Sequence, residues 1–152
     1  MAMESAVTFA VVLATLLVAH NVADHWVQTS HQAGTKGDRG WVGRWACAKH
    51  VATYTAVTAG MVALVWAVFG LPITLGGFVG GQLVSAVTHY WADRRTTLAW
   101  LAALTRNDKF YRLGAPREGH DDNPSLGTGA YALDQAWHWL WLFIAALLTA
   151  VA

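Results

Sequence analysis

The sequence predicts an all-α integral membrane protein, a four-helix bundle with a polar His/Asp site near its cytoplasmic end. Three observations carry the prediction. Of 152 residues, 55% are hydrophobic and only 12% are charged, against about 25% charged in an average soluble domain. Four spans of about 20 residues need roughly 80 apolar positions, and 55% of 152 residues supplies about that many. The apolar residues also fall into four long runs separated by breakers or charges. Finally, nine Trp residues and a mean hydropathy of +0.35 suit lipid contact, because Trp gathers at membrane interfaces. A net charge of +1 gives no basic field for nucleic acid. The single Cys47 excludes a disulfide framework or a thiolate zinc cluster within one chain. One transmembrane domain over residues 1–152 fits the length.

The first helix is expected at about 5–27. Met1 to Ser5 contains Glu4 and no Lys or Arg, so the positive n-region of a cleaved signal is missing and the segment is expected to be retained. The second helix covers about 42–68 and is closed by Gly70 and Pro72. The third covers about 73–104, apolar from Ile73 to Ala92 and more polar past Arg94. Within it Gly76, Gly77, Gly80 and Gly81 form two overlapping G-x-x-x-G pairs that allow another helix to approach closely. Packing within the monomer is favoured over a homodimer. The fourth helix covers about 131–152. The connections 28–41 and 106–130 then share one side, and the tight turn 69–72 shares the other with both termini. All ten basic residues (Lys36, Arg39, Arg44, Lys49, Arg94, Arg95, Arg106, Lys109, Arg112 and Arg117) lie in the two long connections or the helix ends beside them. By the positive-inside rule those connections are cytoplasmic, in a multi-pass inner-membrane protein with both termini outside.

Ionisable side chains within a span are costly, so they normally face a cavity or a partner. His20 and Asp24 end the first segment, His50 lies two turns into the second, His89 and Asp93 end the third, and Asp134 and His138 begin the fourth. Three of these are i, i+4 pairs on one helix face. Segments one and three place His before Asp, whereas segment four, travelling the other way, places Asp before His. In every case His is the deeper residue. The pattern implies a shallow carboxylate layer (Asp24, Asp93, Asp134) over a deep imidazole layer (His20, His50, His89, His138). Such a set is either a hydrogen-bonded polar core, in which some carboxylates must be protonated or paired with imidazolium, or a metal site. Mixed imidazole and carboxylate donors suit zinc first, with manganese or iron as alternatives. Seven donors exceed one tetrahedral ion, so one or two divalent ions are expected, bridged by a carboxylate if two. Gln28 and Gln135 are candidates to orient ligands. Lys49, Arg94 and Arg95 flank the mouth and either snorkel toward lipid headgroups or bind a substrate phosphate. His25 is expected at the interface and His31 in solvent. The His120-Asp121-Asp122 run is a loop segment that would close over the site as a lid if it had a role there.

The motifs resemble a family of small bacterial membrane proteins classed only as a domain of unknown function. That family shows H-x-x-x-D-x-x-x-Q, a lone His, H-x-x-x-D and D-Q-x-x-H on successive helices. Here these are His20 to Gln28, His50, His89 to Asp93, and Asp134-Gln135 to His138. One departure is His25-Trp26, where an aromatic and aliphatic pair is the family pattern. A looser resemblance, in the placing of His and Asp near helix ends, is to membrane-bound metal-dependent hydrolases and suggests hydrolytic chemistry.

The leading expectation is a metal-dependent hydrolase acting at the cytoplasmic leaflet on a phosphoester or ester of a lipid or small amphiphile, with membrane lipid as partner. An ion so held activates water and polarises a phosphoryl or carbonyl oxygen, and one shallow Asp acts as general base instead of ligand. The alternatives are a structural or regulatory metal site whose loops bind an unknown protein partner, and metal or proton transport, which needs a polar path to the outer side.

Overall fold

The computed structural model describes residues 2–120 and 127–152. The chain is all-helical, with no strand among the described residues. Helix α1 (Ala2–Val22) runs into a π-helical turn at Ala23–Val27. It is followed by α2 (Ser30–Thr35), α3 (Gly40–Phe69), α4 (Leu75–Asp93), α5 (Thr96–Leu104), α6 (Asp108–Tyr111) and α7 (Gly129–Val151). Helix α1 packs on α3 and α7, and α4 packs on the same two, so the four long helices close a ring. The connections thought to be plain loops each carry a short helix, α2 and α6.

Two helices, Met3–Val27 and Gly40–Phe69, are long and apolar enough to cross a membrane. Helices α4 and α7 fall short of that measure because they spend polar residues on the inward face. Gln82, Ser85, His89 and Asp93 are buried on α4, as are His138 and Thr149 on α7. The outward face of α4 is aliphatic, with Leu75, Val79, Leu83 and Val87 exposed at four-residue spacing.

The α3–α4 turn follows from its residues. Gly70 takes the left-handed conformation (φ 57°) that ends α3, Pro72 cannot continue a helix, and the Thr74 hydroxyl caps α4 by accepting from Gly77 N at 2.9 Å. The same hydroxyl donates to the Ala152 carbonyl at 2.8 Å, which places the C-terminal end of α7 against this turn.

The expected continuous helix over 73–104 breaks at Arg94 and Arg95, where Arg95 has φ 56°. A non-Gly residue held at such a sparsely populated backbone conformation costs about 1 to 3 kcal/mol. Hydrogen bonds offset it: the Arg94 guanidinium donates to the carbonyls of Lys36 and Asp38, and Arg95 donates to Ala33 O at 2.9 Å. These arginines tie the α2 segment to the end of α4. Helix α2 is itself set by a capping box, in which Thr29 Oγ1 accepts from Gln32 N at 3.2 Å and Gln32 Oε1 accepts from Thr29 N at 2.9 Å.

An apolar core of Val12, Leu16, Val62, Leu71, Ile73, Leu142, Ala145 and Ala146 fills the half of the ring nearer the turn. The two glycine pairs behave differently there. A Cβ on Gly81 would lie 2.8 Å from Ala145 O, and one on Gly77 would lie 3.0 Å from Thr149 O, so this pair is where α4 meets the α7 backbone. A Cβ on Gly80 would meet nothing within 4 Å. Gly81→Ala should therefore destabilise by about 1 to 3 kcal/mol through overpacking. Gly80→Ala should stabilise by about 0.5 to 1 kcal/mol through helix propensity. Thermal melts of the two variants in one detergent should shift in opposite directions; two shifts of the same sign would contradict this packing.

Candidate metal centre

The ring brings the four histidines and two of the aspartates into one buried cluster. His20 and Asp24 come from the end of α1 and the π-helical turn, His50 from α3, His89 and Asp93 from the end of α4, and His138 from α7. His20, His50, His89 and His138 are all buried, as is Asp93. The π-helical turn has a local consequence: its extra residue per turn shifts the register where Asp24 leaves α1.

Four atoms from three elements converge. His50 Nε2 lies 3.0 Å from His89 Nε2. Asp93 Oδ2 lies 3.2 Å from each of these nitrogens. Asp24 Oδ1 lies 3.4 Å from His50 Nε2 and 3.5 Å from His89 Nε2. A tetrahedron of nitrogen and oxygen ligands with bonds of about 2.0 to 2.1 Å has edges of about 3.3 to 3.4 Å. The spacing of His50, His89 and Asp93 therefore matches three donors of a small divalent cation, with Asp24 Oδ1 a further donor beside the two histidines. A proton between the two Nε2 atoms would satisfy only those two, whereas Asp24 Oδ1 and Asp93 Oδ2 are buried without a hydrogen-bond partner. A buried polar atom left unpaired costs about 1 to 3 kcal/mol, and a shared cation removes that cost for both carboxylate oxygens.

A second donor set adjoins the first. The His20 and His138 rings are 4.9 Å apart, and His138 is 4.4 Å from His89. Asp24 spans the two sets, with Oδ1 in the four-atom cluster and Oδ2 3.7 Å from His20 Nδ1. His138 Nδ1 lies 2.8 Å from the Asp134 carbonyl. Donation of its proton there leaves Nε2 as a lone pair, the arrangement that orients ligating imidazoles. That Nε2 and both nitrogens of His20 are buried and unpartnered.

Asp134 joins the cluster from its exposed edge, with a carboxylate oxygen within 4.8 Å of ligand atoms of Asp93 and His138, a further set that could hold a metal ion. It is partly exposed, its Oδ2 lies 3.5 Å from His138 Nδ1, and the Gln135 amide donates to it at 3.4 Å. Gln28 has its amide nitrogen buried and unpartnered. Of the flanking cations, Lys49 is exposed over the Trp45 ring at 5.5 Å and is not brought to the site. Arg94 is occupied by backbone carbonyls. Arg95 lines the mouth. His25, His31 and His120 are exposed, while Asp121 and Asp122 lie outside the described residues.

Two residues that the sequence reading passed over belong to the cluster. Lys36 is buried, and its Nζ makes a 2.8 Å ion pair with Asp93 Oδ1. The available signal was Thr29-x-x-Gln32, a capping box that predicts α2 and hence the chain reversal carrying Lys36 inward. Tyr54 stacks on His89 at 3.9 Å and shares a 2.8 Å hydrogen bond with Ser85. Its signal was the i, i+4 spacing from His50.

Above the cluster is a cavity of about 680 Å³, bounded by Asp24, Asp93 and Asp134, by Lys36 and Arg95, and by Tyr111 among its walls. Partial burial pushes the Tyr111 hydroxyl up from its ordinary pKa, so it faces the cavity as a neutral donor. The carboxylates Asp24 and Asp93 thus present one side to the histidines and the other to the cavity. On the far side of the histidines come the buried Tyr54–Ser85 and Thr58–Gln82 hydrogen bonds and then the packed Val12, Leu16, Val62 and Leu142.

No curated protein and no solved structure matches the chain. A family model does match, over residues 12–152, which takes in every motif residue from His20 to His138. The chain belongs to the DUF3307 family, proteins of unknown function.

Proposed function

We propose that this protein is a membrane-embedded, metal-dependent hydrolase that acts on a phosphoester or ester of a lipid or small amphiphile at the cytoplasmic leaflet. The observation that carries the proposal is the four-atom donor shell of His50, His89, Asp24 and Asp93 with a polar cavity directly against its carboxylates. All four long helices cross the bilayer in this reading. The support is that exposed apolar residues clothe every one: Val7 and Val18 on α1, Leu64 and Val68 on α3, Val79 and Val87 on α4, Leu140 and Phe143 on α7. Apolar surface on that scale marks a lipid or protein interface, not a free aqueous surface. The basic residues at the end bearing the site orient it to the cytoplasm.

His50, His89 and Asp93 with Asp24 would hold one divalent ion, zinc by donor type with manganese or iron as alternatives, and His20, His138 and Asp24 would offer donors for a second. A divalent ion supplies water activation and polarisation of a phosphoryl or carbonyl oxygen. The chain's own groups do the rest. Asp134 lines the cavity; its carboxylate lies within reach of the Asp93 and His138 ligand atoms, and in this reading it serves as the general base instead of as a ligand. Lys36 and Arg95 orient an anionic substrate. For the transport reading, the polar groups beyond the histidines are the buried Tyr54–Ser85 and Thr58–Gln82 pairs, followed by the apolar core of Val12, Leu16, Val62 and Leu142.

A second reading has one observation in its favour. Asp24 Oδ1 lies 3.4 and 3.5 Å from the two histidine nitrogens, and if it joined His50, His89 and Asp93 the four protein donors would fill a tetrahedral zinc shell, as in structural sites. Turnover separates the two. Purified protein loaded with Zn(II) or Mn(II) should hydrolyse dodecyl phosphate, and Asp134→Asn should lower kcat by about 100-fold or more while metal content, read by elemental analysis, stays at the wild-type level. Metal-replete protein with no turnover on phosphate or carboxylate esters would favour the structural reading.

A further inference from the structure

The site's cavity has a side exit. A second hollow, about 560 Å³, lies along α1 and the start of α7, and it shares His25 and Tyr131 with the first. Its other walls are Leu17, Val18, Asn21, Val22 and Trp26. The two hollows differ in chemistry. The first is bounded by carboxylates, Lys36 and Arg95, whereas the second carries no charged carboxylate, Lys or Arg among the described residues and is walled by Leu17, Val18, Val22, Trp26 and Tyr131 with Asn21 and His25, Val18 and Trp26 being exposed at 55% and 86%. One therefore receives a charged group, and the other opens laterally where the proposed bilayer would be.

We infer that the gap between α1 and α7 is a lateral portal for a single-chain anionic amphiphile: the headgroup enters the polar cavity past Tyr131 and His25, and the alkyl chain lies in the groove along Leu17, Val18 and Val22. This rests on the hydrolase reading for the charge of the cavity. Three carboxylates against Lys36 and Arg95 leave one excess negative charge, and a divalent ion in the donor shell reverses its sign, so an anion is admitted to the metal-loaded site. A phosphate monoester fits the donors present, an ammonium from Lys36, a guanidinium from Arg95 and a phenol from Tyr111. The chain has a place in the groove, whose aliphatic residues Leu17, Val18 and Val22 adjoin the cavity through His25 and Tyr131, and of the apolar hollows beside the cavity it is the larger, about 560 Å³ against about 220 Å³ for the one at Leu98.

The test uses the full chain in nanodiscs, with protein-free discs subtracted. The probes are ω-bromododecyl phosphate, inorganic phosphate and dodecanol, and quenching of Trp fluorescence reports chain position. The bromoalkyl phosphate should quench the protein, and Trp26→Phe should remove a distinct share of that quenching. Val22→Trp, and Val18→Trp as the milder outward-facing change, should weaken dodecyl phosphate by about tenfold or more, as losing a couple of buried methylenes would. Both should leave inorganic phosphate binding as it was. Lys36→Met should weaken the two phosphates alike and leave dodecanol unchanged. Unaltered dodecyl phosphate affinity in both groove variants, or quenching that Trp26→Phe does not reduce, overturns the portal. Metal content and hydrolysis are read on the same samples. Protein that binds metal and turns over but ignores the groove changes overturns the portal alone. Metal-loaded protein that takes up the alkyl phosphate through the groove without turning it over supports the portal and overturns the hydrolase reading, and uptake by metal-free protein overturns the charge argument on which the portal rests.

Discussion

Replacing His50 or His89 by alanine should cut metal affinity by more than about 100-fold, beyond what loss of an outer partner costs, whereas His25→Ala should leave it unchanged. The asymmetry is geometric. His50 and His89 each place Nε2 within 3.5 Å of the other and of both carboxylate oxygens. Removing either leaves three donors and a hole that water fills poorly, because both positions are fully buried. His25 is exposed, with Nδ1 3.0 Å from Asn21 O. His89→Ala also deletes the ring stacked on Tyr54, so His89→Gln, which keeps bulk and polarity, separates lost ligation from lost packing. Both variants should lose the ion, and the Gln variant should retain more of the wild-type melting temperature. Elemental analysis after gel filtration and competition with a chromophoric zinc chelator give the two numbers. Equal retention in His25→Ala and His89→Gln would break the assignment of the four-atom shell.

The site was more legible in the sequence than the path of the chain around it. Residues at i, i+4 face one way on any helix, and the reversed order in Asp134 and His138 is meaningful only if the last helix runs against the first and third. Those two facts place His20, Asp24, His89, Asp93 and His138 without knowledge of packing angles. Lys36 was not legible in the same way. It reaches Asp93 only because α2 reverses the chain and Arg94 and Arg95 pin that reversal to the end of α4, and such long-range contacts leave no periodic trace. The break at Arg95 belongs to the same circumstance: Trp91 to Leu104 contains no Gly or Pro to announce it, and tertiary hydrogen bonds override propensity. Hydropathy was similarly partial. It identifies α1 and α3, whereas on α4 and α7 the residues that build the interior dilute the apolar signal.

Stripping the ion should lower the melting temperature by about 10 °C, and Zn(II) should restore it. A site held at about 1,000 times its Kd contributes about 4 kcal/mol, and each kcal/mol moves a chain of this size by about 2 to 4 °C. Without the ion, Asp24 Oδ1 and Asp93 Oδ2 remain buried beside two imidazole nitrogens with no donor assigned to them. Lys36 relieves only the other oxygen of Asp93. The helices that carry these groups meet there from opposite directions, so the cost is felt at the end of the bundle where α1, α3, α4 and α7 are joined by the centre and not by the apolar core, which lies nearer the Gly70 turn. Trp fluorescence melts with EDTA, and with EDTA followed by excess metal, should show the loss and its recovery, with Mn(II) recovering less than Zn(II) in keeping with their order of affinity. His89→Gln should melt at the same temperature with and without EDTA, because its shell no longer holds the ion. If wild-type protein containing a measured ion melts unchanged after that ion is removed, the four donors satisfy one another without it, and the cluster is a polar core.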